Sequence, residues 1–175
     1  GTYLGAASSL TASDLTLDMF DGYTYLFIEG YLVQDHEMIL RAIELAKEAE
    51  LRICLDMASY NIVENDLEFF TMLIQKYVDI VFAIVKVGAK GSFIKKGTEE
   101  VRVLALPIKK VIDTTGAGDY FAAGFLYGLT CGYSLEKCAA IGSLLSGNVI
   151  QVVGTTMPKK QWNEIKLNIS ALLSE

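Results

Sequence analysis

Histidine is nearly absent from this chain of 175 residues, which has only His36. A metal site built from several histidines is therefore excluded, and a Ser-His-Asp triad would have to use this one residue. We expect any acid-base chemistry to depend on a carboxylate. Cysteine is also scarce: the three cysteines have no CxxC spacing, which is typical of a reducing compartment, and we expect a cytoplasmic protein.

Long basic runs and long apolar runs are missing as well. No block of Lys or Arg is longer than a pair and the net charge is -6, so we expect neither nucleic acid nor a membrane surface as a partner. No apolar run approaches the roughly 18 residues of a membrane span, and the first residues lack the layout of a signal peptide. Hydrophobic residues make up 52% of the chain, and we expect one α/β domain over residues 1–175.

Short β-rich runs alternate with segments of helical periodicity. Residues 24–33 and 51–57 predict strands, and the apolar stripe of residues 35–50 predicts a helix between them, which together make a βαβ unit. A further helix is expected over residues 64–77. The continuous apolar run at residues 79–88 is typical of a strand buried on both faces, as in a parallel sheet covered by helices.

The rest of the chain predicts a hairpin and then three helices. Two short extended pieces joined by GTE form the hairpin. The first helix should begin inside GAGD and end near Leu129, before Gly132. The second should follow Ser134 as its N-cap, and the third should follow Pro158.

One connection that an α/β protein needs is missing from the sequence. The stretches VDIVFA and IVKVGA each resemble a separate strand, yet they meet directly at Ala83 and Ile84. A parallel crossover requires roughly a dozen or more residues. We therefore expect a missing segment between residues 83 and 84, and one long strand is the alternative.

The stretch VIDTTGAGDYFAAGFLYGL, at residues 111–129, allows several interpretations. A dinucleotide fingerprint requires a third glycine where Phe121 stands, and a phosphate-binding P-loop requires a Gly-Lys-Ser/Thr that is absent. Asp119 could simply lie in the first turn of a helix, where a carboxylate gains about 0.3–1 kcal/mol. However, Gly116 and Gly118 each lower helix propensity by about 1 kcal/mol relative to alanine if they lie within the helical turn, and a capped helix alone would not account for that cost.

Small residues at a helix start leave backbone amides uncovered, and such a terminus binds anions. An aspartate at this position is compatible with phosphate if its carboxylate accepts the proton of an attacking hydroxyl while the amides stabilise the transferred group. A general base of this kind contributes about 10²–10⁴ in rate. The residues thus favour phosphoryl transfer, with Asp119 as the base.

The sequence DTTGAGDYFAAGF resembles the C-terminal signature of the ribokinase-like (PfkB) family of carbohydrate and nucleoside kinases, and matches its D-T-x-G-A-G-D pattern from Asp113 to Asp119. The resemblance extends over essentially the whole chain and is nearest to the adenosine-kinase-like branch. It implies a three-layer fold with a mainly parallel sheet flanked by helices, of which this chain is the C-terminal portion without the N-terminal part and the β lid. It also implies transfer of the γ-phosphate of ATP, with Mg²⁺, to a hydroxyl of a small sugar or nucleoside substrate.

The resemblance implies a role for each residue that matches the family pattern. The catalytic group is Asp119 as the base, with an anion hole formed by Gly116, Ala117 and Gly118. The nucleotide-binding group is Lys86, Gly88, Gly91 and Asn148. The ion-binding group is Asp56, near the phosphates and Mg²⁺, and Asp113 with Thr115, which would hold a monovalent cation such as K⁺.

Several of these residues have a structural alternative. The two glycines after Lys86 could form an ordinary turn, Asn148 could be a polar residue at a helix end, and Asp56 could be a turn former at a strand end. Asp113 could stabilise its own loop as an Asx residue. Outside the site, we expect His36 to be solvated, and we expect the last two cysteines, Cys131 and Cys138, to be buried as small hydrophobic residues.

The family's Asn-x-x-Glu motif, which is associated with Mg²⁺ and phosphate, is expected between residues 83 and 84, where the connecting segment is missing. The alternative to a kinase is therefore a non-catalytic nucleotide-binding relative or an inactive kinase fragment. Members of the family often dimerise through the lid, so a homodimer is a further expectation from the resemblance.

Overall fold

The computed structural model describes residues 5, 9–56, 60–77, 83–86, 88–96 and 98–174. The chain forms two compact units, residues 1–81 and 82–175, and each has its own hydrophobic core. In chain order the strands and helices are β1 (Tyr25–Glu29), α1 (His36–Glu48), β2 (Arg52–Asp56), α2 (Tyr60–Asn65), α3 (Leu67–Lys76), β3 (Ala83–Lys86), β4 (Ser92–Lys96), β5 (Glu99–Val103), α4 (Ala117–Thr130), α5 (Leu135–Val149) and α6 (Lys159–Ser174).

The first unit is built on two parallel strands, β1 and β2, which α1 connects. The strands are in register along their whole length, so that Glu29 at the end of β1 lies opposite Asp56 at the end of β2. The start of α1 is fixed by Asp35, whose carboxylate accepts a hydrogen bond of 3.0 Å from the amide of Met38. The predicted βαβ unit is confirmed, and both strands end at the same edge.

The core of the first unit comes from one face of α1, the inner face of β2 and one face of α3. The most deeply buried side chains, each at most 1% exposed, include Ile43, Ile53, Phe70 and Leu73. These positions repeat every three or four residues in the helices, which is the spacing that places side chains on one face. Burial of this face is therefore the main favourable contribution to the stability of the unit.

Two predicted elements of the first unit differ from the structure. The strand expected over residues 24–33 ends at Glu29, and a 3-10 turn follows at Gly30–Leu32. Val33 is only 1% exposed, so the apolar pattern there reflects a buried turn rather than a longer strand. The single helix expected over residues 64–77 is two helices, α2 and α3, separated at Asp66.

His36 is not simply solvated, as the sequence suggested. Its Nε2 lies 2.5 Å from Oδ2 of Asp66, and its ring stacks on the ring of Phe69 with centroids 3.7 Å apart and planes 7° from parallel. The histidine is the first residue of α1, and the aspartate immediately precedes α3. This contact therefore ties the starts of the two helices together at the position where α2 and α3 separate.

The second unit begins with the antiparallel sheet β3–β4–β5. The predicted hairpin is confirmed, because β4 and β5 pair from Ser92 with Val103 to Lys96 with Glu99. Of the strands in the described ranges, only β1 and β2 are parallel. Ala83 and Ile84 are consecutive residues of β3, and the preceding residues 78–82 lie outside the described part of the chain. A missing segment at this junction stays a prediction.

The three predicted C-terminal helices are confirmed, and two of them pack unusually closely. α5 begins after Ser134, whose hydroxyl accepts a hydrogen bond of 3.3 Å from the amide of Lys137. A Cβ on Gly128 of α4 would lie 2.8 Å from Sγ of Cys138 on α5, so glycine is what permits this approach. No helix in the described ranges is long and apolar enough to span a bilayer.

The two cysteines of this unit have different environments. Cys138 is fully buried, and burial raises the pKa of its thiol to about 11. Cys131 follows the end of α4 and is exposed, so the expectation that it is buried is wrong. Cys131 is the C-cap residue of α4, and the buried residues of that helix end at Gly128.

Candidate active site

The candidate active site is centred on the turn that precedes α4. Gly116 is the N-cap of this helix and has φ of +78°, in the left-handed region that favours glycine. A Cβ at this position would also lie 2.8 Å from Cγ2 of Thr155. Both observations require glycine here, and because Gly116 is the N-cap and lies outside α4, the helix-propensity cost expected from the sequence applies only to Gly118.

The backbone amides at the start of α4 are partly uncovered. The amide of Tyr120 donates to the carbonyl of Gly116 at 2.9 Å and closes the first helical turn. The amide of Ala117 donates to the carbonyl of Thr114 at 3.2 Å, so it is already used within the turn. Within the described residues, the amides of Gly116, Gly118 and Asp119 have no acceptor. These amides and the helix dipole are the elements of an anion site.

Asp119 is the third residue of α4 and lies beside these open amides. Its side chain is exposed and makes no hydrogen bond or ion pair with any described residue. Phe121, two residues further on, is 4% exposed and anchors the same turn in the core. The arrangement therefore presents an unengaged carboxylate on a fixed helical turn, next to unengaged donors.

Asp113 has the bonding pattern of a loop-stabilising residue. Its Oδ1 accepts hydrogen bonds from the hydroxyl of Thr115 at 2.7 Å and from the amide of the same residue at 2.9 Å. Its Oδ2 accepts a hydrogen bond of 2.8 Å from the amide of Gly154. These donors, the Thr115 hydroxyl first, hold the pKa of the Asp113 carboxyl below its ordinary value of 3.8. The Asx alternative therefore fits these contacts better than direct ligation of a cation.

A segment that the sequence did not single out makes hydrogen bonds to the turn that precedes α4, which we call the glycine turn. This bracing segment, residues 150–155, follows α5 and carries a left-handed Gly154 with φ of +69°. The amide of Ile112 donates to the carbonyl of Ile150 at 2.8 Å, and the hydroxyl of Tyr120 donates to the carbonyl of Thr155 at 2.7 Å. The only sequence signal was Gly154 itself, because the pairing spans 35 or more residues.

Asn148 lies near the end of α5 and is held by contacts within the protein. Its Nδ2 donates to the carbonyl of Leu144 at 2.8 Å. Nε2 of Gln161 donates to the carbonyl of Asn148 at 2.8 Å and to its Oδ1 at 3.2 Å. In this structure the side chain links α5 to α6, so its predicted contact with a nucleotide stays a prediction.

The predicted nucleotide loop lies between β3 and β4. Lys86 is the last residue of β3, and its side chain lies outside the described part. The amide of Gly91 donates to the carbonyl of Gly88 at 3.0 Å, and both glycines have positive φ. A Cβ on Gly91 would lie 2.0 Å from the carbonyl oxygen of Val103. The turn therefore requires glycine structurally, whatever it binds.

Asp56 belongs to the first unit, where it ends β2 opposite Glu29. Both carboxylates thus lie at the carboxyl edge of the parallel pair, which is where open α/β sheets bind ligands. Nowhere in the described ranges do three or more metal-ligating side chains converge. An Asn-x-x-Glu spacing also occurs at Asn61 and Glu64 of α2, away in sequence from the junction where the family motif is expected.

Comparison with known proteins identifies the class. The model for pfkB family carbohydrate kinase matches residues 27–162. A sugar kinase of Archaeoglobus fulgidus, itself uncharacterised, is 47% identical over 70 residues, which are 40% of this chain and 28% of that protein. The adenosine kinase of Saccharomyces cerevisiae is 32% identical over 120 residues, which are 67% of this chain and 35% of that enzyme. The chain belongs to the pfkB family of carbohydrate kinases.

Solved structures give the same fold. A probable sugar kinase of Rhizobium etli superposes with a TM-score of 0.86 and 31% identity, covering 97% of this chain and 61% of that one. An adenosine kinase of Sinorhizobium meliloti gives a TM-score of 0.84 and 29% identity, covering 95% and 61%. The ribokinase-like α/β fold predicted from the signature is thus confirmed.

One more distant structure of the same fold contains a ligand. The aminoimidazole riboside kinase of Salmonella enterica, solved with its riboside and an ATP analogue, gives a TM-score of 0.67 and 19% identity, covering 95% of this chain and 69% of that one.

The matched segments span 28–35% of the length of the two curated relatives, and the chain covers 61% of the two most similar structures described above.

Proposed function

We propose that this chain carries the phosphoryl-transfer site of an ATP-dependent kinase that phosphorylates a hydroxyl of a sugar or nucleoside. The observation that carries the proposal is the start of α4, where the unengaged carboxylate of Asp119 lies beside the open amides of Gly116 and Gly118. Membership in the pfkB family and the names of the relatives as sugar and adenosine kinases support the same activity.

In the proposed reaction, the carboxylate of Asp119 accepts the proton of the acceptor hydroxyl as its oxygen attacks the γ-phosphorus of ATP. The bond between the γ-phosphorus and the bridging oxygen breaks, and ADP leaves with those electrons. The amides of Gly116 and Gly118 stabilise the charge on the moving phosphoryl group. We assign Ala117 a supporting role, because its amide is already bonded to Thr114 and holds the turn in shape.

The nucleotide is proposed to lie against the β3–β4 turn and the end of α5. At Gly88 no atom lies within 4 Å of where a Cβ would be, which suits close approach of phosphates or sugar, while Gly91 lets the turn pack against the carbonyl of Val103. Lys86 directly precedes the turn and would supply a positive charge. Asn148 would contact the nucleotide only if its bonds to Leu144 and Gln161 exchange for bonds to the ligand.

Two ions complete the proposal. Mg²⁺ is usually bound by one or two carboxylates together with substrate phosphates, and Asp56 beside Glu29 offers such oxygen ligands. When bound, Mg²⁺ would neutralise charge on the phosphates of ATP. K⁺ near Asp113 and Thr115 stays a prediction, and the three donors on the Asp113 carboxylate do not favour direct ligation by that side chain.

The most direct test of the activity is an acceptor panel. ADP release by the complete gene product would be measured with adenosine, ribose, fructose and sugar phosphates, each with ATP and Mg²⁺. The proposal predicts acceptor-dependent ADP release with at least one sugar or nucleoside. Nucleotide binding without release for any alcohol would instead support the alternative, a non-catalytic nucleotide-binding relative. The same preparations would show by sedimentation whether the predicted homodimer forms.

A further inference from the structure

The bracing segment, residues 150–155, holds the part of the glycine turn that precedes Gly116, and it does so through its own backbone atoms. The amide of Ile112 donates to the carbonyl of Ile150 at 2.8 Å, and the amide of Gly154 donates to Oδ2 of Asp113 at 2.8 Å. Both bonds act on residues that precede Gly116. Neither bond acts on the first turn of α4, which contains the proposed base, so that part of the site needs a different contact to hold it.

Tyr120 makes the contact on the helix side. Its hydroxyl donates to the carbonyl of Thr155 at 2.7 Å, and its amide donates to the carbonyl of Gly116 at 2.9 Å. Its ring also lies 6.2 Å from the ring of Trp162 on α6, with the planes tilted by 37°. One side chain therefore connects the first turn of α4, the bracing segment and the last helix.

We propose that Tyr120 is a positioning residue for phosphoryl transfer. Through its hydroxyl it holds the first turn of α4 against the bracing segment, and so fixes where the carboxylate of Asp119 and the amide of Gly118 point. The inference rests on the proposed function, because it assigns a means of alignment to the same site. A displacement of roughly 1 Å at a reacting group can lower a rate about 10²-fold, so even a small loosening is expected to affect turnover.

The geometry favours alignment over general stability as the role of this hydroxyl. The hydrogen bond to Thr155 is exposed, and an exposed hydrogen bond adds little to the stability of the fold because water replaces it readily. At the same time the methyl carbon of Thr155 lies 2.8 Å from where a Cβ on Gly116 would be, so the segment fits directly against the turn. A loss of the hydroxyl would thus free the turn without unfolding the protein.

The test compares Tyr120→Phe with the wild type in the complete gene product. The substitution keeps the ring against Trp162 and removes only the hydroxyl. We expect kcat to fall about 3- to 10-fold, the factor by which loss of one hydrogen bond changes an equilibrium, with KM for ATP unchanged. Tyr127→Phe is the matched control, because Tyr127 lies seven residues later on α4 and is 48% exposed, away from the turn. Its kcat should equal that of the wild type.

Hydrogen–deuterium exchange provides a readout that does not depend on turnover. Residues 112–122 should exchange faster in Tyr120→Phe and at the wild-type rate in Tyr127→Phe. A wild-type kcat in Tyr120→Phe, or a loss confined to KM, would overturn the positioning role. If the wild type releases no ADP with any acceptor, the proposed function fails on its own account. In that case, equal exchange of residues 112–122 in Tyr120→Phe and Tyr127→Phe would show that the Tyr120 hydroxyl does not hold the turn in place.

Discussion

At the scale of single residues, Asp113 shows how one carboxylate organises the turn. Its pKa is lowered by the Thr115 hydroxyl, the Thr115 amide and the Gly154 amide, so the folded state favours the charged form. A lowered folded-state pKa gives stability that is present above the ordinary value of 3.8 and is lost as the pH falls through the folded pKa. Asp113→Asn should therefore unfold at a lower temperature than the wild type near neutral pH, and the two should converge in acid.

Thr115→Val is the companion variant for this measurement. It keeps the carboxylate but removes the hydroxyl, which is the largest cause of the lowered pKa. Its loss of unfolding temperature in acid should be smaller than that of the wild type and should end at a higher pH, because the folded pKa moves back toward 3.8. A difference between Asp113→Asn and wild type that stays constant from neutral pH into acid would contradict this account.

The two glycines of the β3–β4 turn make a matched pair. Gly88 has φ of +58° and no atom within 4 Å of an added Cβ, so Gly88→Ala should cost only the roughly 1–2 kcal/mol of a left-handed backbone. Gly91→Ala adds a clash at 2.0 Å with the carbonyl of Val103 and should cost clearly more. Chemical denaturation of both variants measures the difference. Equal free energies of unfolding would show that β5 moves away without penalty.

Residue-scale features of the site were predictable to different degrees. Gly116 and Asp119 could be identified because closely spaced glycines and a carboxylate occur together at a helix start. The use of the Ala117 amide within the turn could not be, because it depends on the position of Thr114. Nor could the internal bonds of Asn148, because Gln161 lies on another helix.

At the scale of elements, the sequence predicted those helix ends that are determined by residues close to them in the chain. Ser134 and Pro158 marked the starts of α5 and α6, since a cap and a first-turn proline act within a few residues. The division between α2 and α3 was missed because it coincides with the pairing of Asp66 with His36, which is 30 residues away in sequence. The end of β1 was missed because a buried turn is as apolar as a buried strand.

The packing of α4 on α5 gives a prediction at this scale. Alanine favours a helix over glycine by about 0.8–1.0 kcal/mol, but a Cβ on Gly128 would lie 2.9 Å from the backbone Cα of Cys138. Overpacking of this kind costs about 1–3 kcal/mol, so Gly128→Ala should lower the free energy of unfolding. Asn168→Ala, on the exposed surface of α6, is the control and should not destabilise. A more stable Gly128→Ala protein would mean that the helices separate freely.

At the scale of the whole molecule, the family match extends over both compact units, from residue 27 to residue 162. The predicted roles are divided between them, with Asp56 in the first unit and the glycine turn in the second. Sequence reasoning reached the family because its signature is short and continuous. It did not reach the substrate, because the chain covers 61% of the two most similar structures described above and 28–35% of the curated relatives.

The central claim, that Asp119 is the base of a phosphoryl transfer, is tested most directly by kcat of Asp119→Asn in the complete gene product. The control is Glu136→Gln, which removes an exposed carboxylate from the first turn of α5, where the N-cap is Ser134 and not a glycine. We predict that Asp119→Asn lowers kcat by about 10²–10⁴ and that Glu136→Gln leaves it unchanged. Wild-type turnover in Asp119→Asn would contradict the account.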